Sequence, residues 1–158
     1  MNNDDRNKKK KKVAVVTGSS SGIGFETSLL LARNGFYTYA SMRNIEKSTS
    51  IKQIANKETL PLQVIQLDVN DELSVKNAIE EIISEKERID ILVNNAGYGL
   101  IGPIEDISVE ELKAQFETNL FGVIRVTQQV LPIMRRQKEG GRIINVSSIG
   151  GIVGYPFS

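Results

Sequence analysis

Thr17-Gly18-Ser19-Ser20-Ser21-Gly22-Ile23-Gly24 is the stretch whose residue types and spacing point most directly to chemistry. Gly18 can take a positive φ in a tight turn. Gly22 and Gly24 let backbone approach a phosphate and let a following helix pack close to a strand. Backbone N–H groups at the start of that helix then face an anion. A plain Gly/Ser turn has the same composition, and a glycine-rich loop alone leaves the two readings even. The apolar run Val13-Ala14-Val15-Val16 directly before it favours dinucleotide binding.

Two other readings of the same residues fail. Gly18-Ser19-Ser20-Ser21-Gly22 has the spacing of a nucleophile elbow, but Ser20 would need a histidine and the chain has none. A Walker-type phosphate loop needs Gly-Lys-Ser/Thr, and no lysine stands here.

The loop needs a strand before it and a helix after it, and the chain alternates accordingly. Strands are expected at Val13–Thr17, Phe36–Ser41, Leu62–Leu67, Ile89–Val93 and Arg142–Val146. Helices are expected at Gly22–Asn34, stopped by Gly35, at Asn44–Lys57, at Asp71–Glu87, and from Ser108 to about Gln137 across Pro132. Leu73, Ala78, Ile79, Ile82 and Ile83 should share one face of the third helix. Ser108-Val109-Glu110-Glu111 reads as a capping box, and Gly140-Gly141 ends the last helix. The pattern predicts an α/β fold, a Rossmann-like doubly wound parallel sheet in three αβα layers. Such sheets bind ligands at the carboxyl ends of their strands.

Composition narrows the chemistry. The 158 residues make one domain the default, and 40% are hydrophobic, enough for a core. Lys plus Arg number 20 against 19 Asp plus Glu, so neither nucleic acid nor an anionic membrane is an expected partner. Without cysteine or histidine there is no disulfide, thiolate or imidazole, and no metal site is expected. Proton chemistry falls to Tyr, Lys, Ser, Asp or Glu. No apolar run approaches the roughly 20 residues that span a bilayer. No apolar segment of a signal peptide follows the charged N-terminus, so a cytoplasmic location is expected. Residues 1–12, ending in Lys8 to Lys12, read as a solvated, disordered basic leader, with a tail for an acidic partner as the minor alternative. Residues 13–158 form the nucleotide-binding domain.

Taken together, the motifs resemble the short-chain dehydrogenase/reductase family, in the type similar to hydroxysteroid and retinol dehydrogenases. They are Thr17-Gly18 with Gly22-Ile23-Gly24, then Leu67-Asp68-Val69, Asn94-Asn95-Ala96-Gly97, Asn119, and Asn145-Val146-Ser147-Ser148 followed by Gly150 to Pro156. They run in order from residue 13 to 157. The resemblance implies hydride transfer between a nicotinamide dinucleotide and a small alcohol or carbonyl compound. It implies that Asp68 accepts from the adenine amino group, helped by the Val69 backbone; helix capping is the competing role for Asp68. Asn95, Ala96 and Gly97 would let the cofactor ribose cross the sheet edge, or merely form a strand-end turn. Asn119 would bind backbone and hold a water of a proton relay. Ser148 would hydrogen-bond the substrate oxygen, while Ser147 points elsewhere, because successive strand residues face opposite sides.

Cofactor choice rests on Tyr39-Ala40-Ser41-Met42-Arg43-Asn44. An acid at the end of the second strand would bind a ribose 2′-hydroxyl and repel a 2′-phosphate. None is present, and Arg43 can make charge-assisted bonds to a phosphate, with Ser19 or Ser20 assisting. An ordinary surface arginine is the alternative. NADP is therefore preferred, with NAD possible.

The family's catalytic Tyr-x-x-x-Lys has no counterpart up to Ser158. Counting from Ser148 puts it just beyond, and Tyr155 has no lysine after it to lower its pKa. The chain thus reads as truncated after the fifth strand. The 158-residue polypeptide is expected to turn over no substrate while the full-length parent, expected to be a homo-oligomer, does. The fifth strand is expected to be a sticky sheet edge with apolar surface on both faces. A non-catalytic dinucleotide-binding or regulatory protein is the alternative function, and an epimerase or dehydratase a third.

Overall fold

The computed structural model describes residues 11–154. Most of the leader, and Tyr155, lie outside the described residues. Five strands form one sheet: β1 (Val13–Val16), β2 (Tyr37–Met42), β3 (Leu62–Gln66), β4 (Ile91–Asn94) and β5 (Arg142–Asn145). Their order is β3-β2-β1-β4-β5, and every neighbouring pair is parallel. β1 is buried at all four positions because helices cover both faces of the sheet's centre.

The helices are α1 (Gly22–Arg33), α2 (Thr49–Lys57), α3 (Glu72–Lys86), α4 (Val109–Phe116) and α5 (Gly122–Arg136). Alternation along the strands divides the core in two. Val13, Val15 and Tyr39 pack with α3 and α5, through Ile79, Ile82, Val126 and Val130. Ala40 and Met42 face the other way, onto Leu29 of α1 and Ile51 of α2. The αβα layering expected from the sequence is present. No helix among the described residues is long and apolar enough to cross a membrane.

Several boundaries differ from the pattern-based expectation. The segment after Asn44 opens with a 3-10 turn, Ile45–Ser48, capped by Asn44 Oδ1 accepting from Glu46 N, before α2 begins. β4 starts at Ile91 and not Ile89, because the Ile89 N–H donates to Gln137 Oε1 at 2.9 Å and not to a strand. Leu73 is 63% exposed; Val75 takes the inward position with Ala78, Ile79 and Ile82, at helical spacing. The long helix is interrupted: Glu117–Phe121 is a single π turn between α4 and α5. β5 is one of the two sheet edges, with Ile144 exposed, but Ile143 packs on the α5 core, so only one face is open.

The capping box forms as expected. Ser108 Oγ accepts from Glu111 N at 3.2 Å, and Glu111 Oε2 accepts from Ser108 N at 2.8 Å. Ser108→Ala should cost about 1 kcal/mol in urea unfolding. The Ser108 backbone and hydroxyl donors hold the Glu111 carboxyl below the usual range. A carboxylate depressed on folding adds stability above its unfolded pKa, and loses it as pH falls through the folded one. Glu111→Gln should therefore lower the urea midpoint at neutral and alkaline pH and leave it nearly unchanged at the acid end, which flattens the acid limb of a plot of urea midpoint against pH.

Candidate functional site

Strand order reverses direction between β1 and β4, and the segments leaving their carboxyl ends part there. A cleft of about 1640 Å³ opens at this end, lined by the segments that follow all five strands. It exceeds the about 300–1,000 Å³ of an ordinary small-molecule pocket, which suits an extended ligand.

The glycine turn and the β4 loop are clasped together. Thr17 Oγ1 accepts from Asn95 N at 2.9 Å and Ala96 N at 3.0 Å. Asn95 Nδ2 donates to Thr17 O at 2.9 Å and Gly18 O at 3.2 Å. Gly18 has φ 69°, and a Cβ there would lie 2.7 Å from Ala96 Cα. A Cβ on Gly24 would lie 2.4 Å from both Asn95 Nδ2 and Gly18 O. Thr17 and Gly24 are thus packing and positioning residues behind the cleft wall. The close helix packing expected of Gly24 is present, and neither residue is part of the cleft lining.

Ser19 does not line the cleft either. It is buried; its hydroxyl donates to Val16 O at 2.9 Å and accepts from Ser28 Oγ at 3.0 Å, and its N–H donates to Ser41 O at 2.8 Å. Nothing of Ser19 is left for a phosphate. Ser20, Ser21, Gly22 and Ile23 do line the cleft. Gly22 has φ 61° and open space where a Cβ would be. α1 begins there with no side-chain cap and no acid in its first turn. Its leading N–H groups have no partner within the helix, so they can meet an anion.

Arg43 follows β2 at the far end of the cleft, with Lys47 beside it in the lining. Sequence reading missed Lys47, whose place in the lining follows from the 3-10 turn Ile45–Ser48. Asp68 also lines the cleft. Its Oδ1 accepts from Asn70 N at 3.0 Å, while the cap of α3 is Asp71, accepting from Leu73 N and Ser74 N. The competing capping role therefore falls to Asp71. Val69 is buried, and its carbonyl accepts from the Arg125 guanidinium.

Asn119 sits at the centre of the π turn. Its Nδ2 donates to Tyr98 O at 2.7 Å and its Oδ1 accepts from Tyr98 N at 3.0 Å. The backbone-binding role is therefore present, directed at Tyr98. Gly97 makes room for it, since a Cβ there would lie 3.1 Å from Asn119 Oδ1. Ser148 Oγ accepts from Gly150 N at 3.1 Å and caps the turn Ile149–Gly151, which leaves its proton to donate. Ser147 lines the cleft as well. Strand alternation does not separate the two serines, because β5 ends at Asn145. Asn94 is a site residue that sequence reading missed. It is buried, joins Thr127 Oγ1 and Asn145 Oδ1 through Nδ2, and leaves its Oδ1 without a partner among the described residues. Tyr39 is no acid or base here: burial, then its bond to Glu85, push its hydroxyl well above the ordinary tyrosine value.

The glycine turn, the Asn94–Gly97 loop, the Asn119 turn and the Ser148 segment therefore converge on one cleft. The chain is similar to known proteins in sequence and in fold. The family model described as short chain dehydrogenase matches residues 12–158. A 3-ketodihydrosphingosine reductase of Bacteroides thetaiotaomicron is 40% identical over 90% of this chain and 49% of its own length. Retinol dehydrogenase 8 of Bos taurus is 38% identical over 91% of this chain and 46% of its own length. The chain thus spans about half the length of these curated relatives. A crystal structure of the F189W actinorhodin polyketide ketoreductase with NADPH superimposes with TM-score 0.86 at 31% identity, covering 93% of this chain and 57% of that one. A match across nearly the whole chain, on the motifs that build the cleft, makes the protein a member of the short chain dehydrogenase family.

Proposed function

We propose that residues 13–158 form the dinucleotide-binding domain of an NADP(H)-dependent oxidoreductase acting on an alcohol or carbonyl substrate. One observation carries the reading. An uncapped helix start stands over the open space at Gly22, while the β2 end of the same cleft presents Arg43 and Lys47 and no β2-terminal carboxylate. Glu46, the nearest acid in sequence, is held by Asn44. The NADPH bound by the polyketide ketoreductase supports the same choice.

A bound nicotinamide would supply or accept the hydride. The residues of the chain would do the rest. The N–H groups of Gly22 and Ile23 would grip the pyrophosphate. Arg43 would bind the 2′-phosphate, with Ser20 beside it. Asp68 would accept from the adenine amino group. Ser148 would donate to the substrate oxygen, and Asn119 would hold the Tyr98 backbone in place. Exposed Phe116 and Phe121, which lie outside the cleft lining, support a homo-oligomer of the whole protein.

Calorimetric titration of the whole protein tests this. NADPH should bind about tenfold more tightly than NADH, and Arg43→Asp should reverse that order, a difference of about 1.4 kcal/mol per tenfold step. Equal affinity for the two, unmoved by Arg43→Asp, would remove the NADP assignment. Absence of binding to either would remove the reading.

A further inference from the structure

The loop after β3 and the turn bearing Asn119 are joined by contacts that binding and hydride transfer leave without a task. Arg125 of α5 donates to Val69 O and to Glu117 Oε1, the latter at 2.5 Å. Asn70 Nδ2 donates to Thr118 Oγ1 at 2.9 Å. A Cβ added at Gly122 would lie 2.8 Å from Val69 Cγ2, so the start of α5 rests directly on Val69. Glu117, Thr118 and Asn119 are consecutive residues of the π turn, and Asn119 clasps Tyr98 by two hydrogen bonds. An unbroken path thus runs from Val69 and Asn70, through Arg125 and Thr118, to Asn119 and the Tyr98 backbone across the cleft.

Arg125 has the shape this bridge requires. It meets Glu117 across about 12 Å of helix rise, beyond the three- and four-residue reach of ordinary helical pairs. Helical side chains lean toward the N-terminus, which aims Arg125 at the π turn. Its planar guanidinium serves a carbonyl and a carboxylate at once, as a lysine ammonium on one stem does less well. A π turn is the kind of local insertion found at functional sites. Here it is braced from behind by Arg125 and from the front by Tyr98.

We propose that Arg125 is a positioning residue that couples occupancy of the Asp68–Asn70 loop to the geometry of Asn119 and Tyr98. The inference rests on the dinucleotide reading above. A ligand that steadies Asp68 and Val69 steadies Arg125, hence the π turn, hence the hydrogen bond from the Tyr98 N–H. Coupling of this kind appears as slower local opening, with no change of fold.

The test uses adenosine 2′,5′-bisphosphate, which has the adenine side of the dinucleotide and no nicotinamide. Hydrogen exchange of the Tyr98 amide is followed in the whole protein, with and without saturating bisphosphate. Exchange should slow about tenfold in the parent protein on binding. The effect should vanish in Arg125→Met, return in part in Arg125→Lys, and shrink in Asn70→Ala. The bisphosphate itself should bind about fivefold more weakly to Arg125→Met. Equal slowing in the parent protein and Arg125→Met overturns the proposal. If Arg125→Met does not fold, Asn70→Ala decides, and undiminished slowing there overturns it. A parent protein that binds bisphosphate without a response at Tyr98 sinks the coupling alone. One that binds neither bisphosphate nor NADPH sinks the dinucleotide reading and the coupling with it.

Discussion

A Gly24→Ala variant of the whole protein should bind NADPH about 10- to 100-fold more weakly than the parent. The added methyl would lie 2.4 Å from Gly18 O and 2.4 Å from Asn95 Nδ2, well inside any real contact distance. Those two atoms already bond each other at 3.2 Å, and Asn95 also holds Thr17 O. The clash cannot be relieved by a side chain alone, because Gly18 O is backbone. Either α1 must withdraw from the turn or the turn must open, and each moves the N–H groups away from the phosphate. Overpacking of this kind costs about 1–3 kcal/mol, and each 1.4 kcal/mol taken from binding is a factor of about ten. Calorimetry gives the dissociation constant, and a thermal melt shows whether the loss falls on binding or on the fold. An unchanged affinity with an unchanged melt would mean that α1 packs less closely on Gly18 than a 2.4 Å approach of the added methyl to Gly18 O requires.

Loss of the Asp90 carboxylate should be the most destabilising single change at the opposite end of the sheet. Asp90 is 6% exposed. Its Oδ2 accepts from Val13 N at 2.7 Å and from Arg88 Nε at 2.9 Å, and its Oδ1 accepts from Arg88 Nη2 at 2.5 Å. Asp90→Ala strands the first N–H of β1 and a half-buried guanidinium together. Removing one partner of a buried pair costs about 3–5 kcal/mol. Arg88 keeps Glu139 at 3.2 Å, which places the expected loss near the lower bound. For a domain of this size that lowers Tm by about 6–12 °C. Asp90→Asn keeps an acceptor for Val13 N and should lose about half as much. Because the cleft lies at the other end of the strands, NADPH affinity below the melting range should stay within about twofold. A variant melting with the parent would show that water replaces the carboxylate at no cost.

The two variants mark different degrees of legibility. Gly24 stood out in the sequence because glycine spacing in one turn is a local signal, and the close packing expected of it is present. It makes room for Gly18 O and Asn95. Asp90 carried no sequence signal, since its partner Val13 is 77 residues away. Ser19 and Ser20 are adjacent and identical in type, yet only Ser20 lines the cleft, because Val16 O and Ser28 claim the Ser19 hydroxyl. The order of strands and helices was readable from periodicity, as was the capping box at Ser108. The split of the long helix was not, because the residues 109–136 are helical in pattern throughout.

Local structure was therefore settled within short windows of the chain: which segments are strands, where α4 starts, where the glycine turn falls. Those features depend on neighbours a few residues away and are written in residue type and spacing. Which hydroxyl faces the cleft, where the π turn falls and what Arg125 holds were decided only by the folded chain. The bonds responsible join residues 56 apart at Arg125 and Val69, and 79 apart at Thr17 and Ala96. Such partners come within hydrogen-bond reach only after the parallel sheet has set its strands side by side.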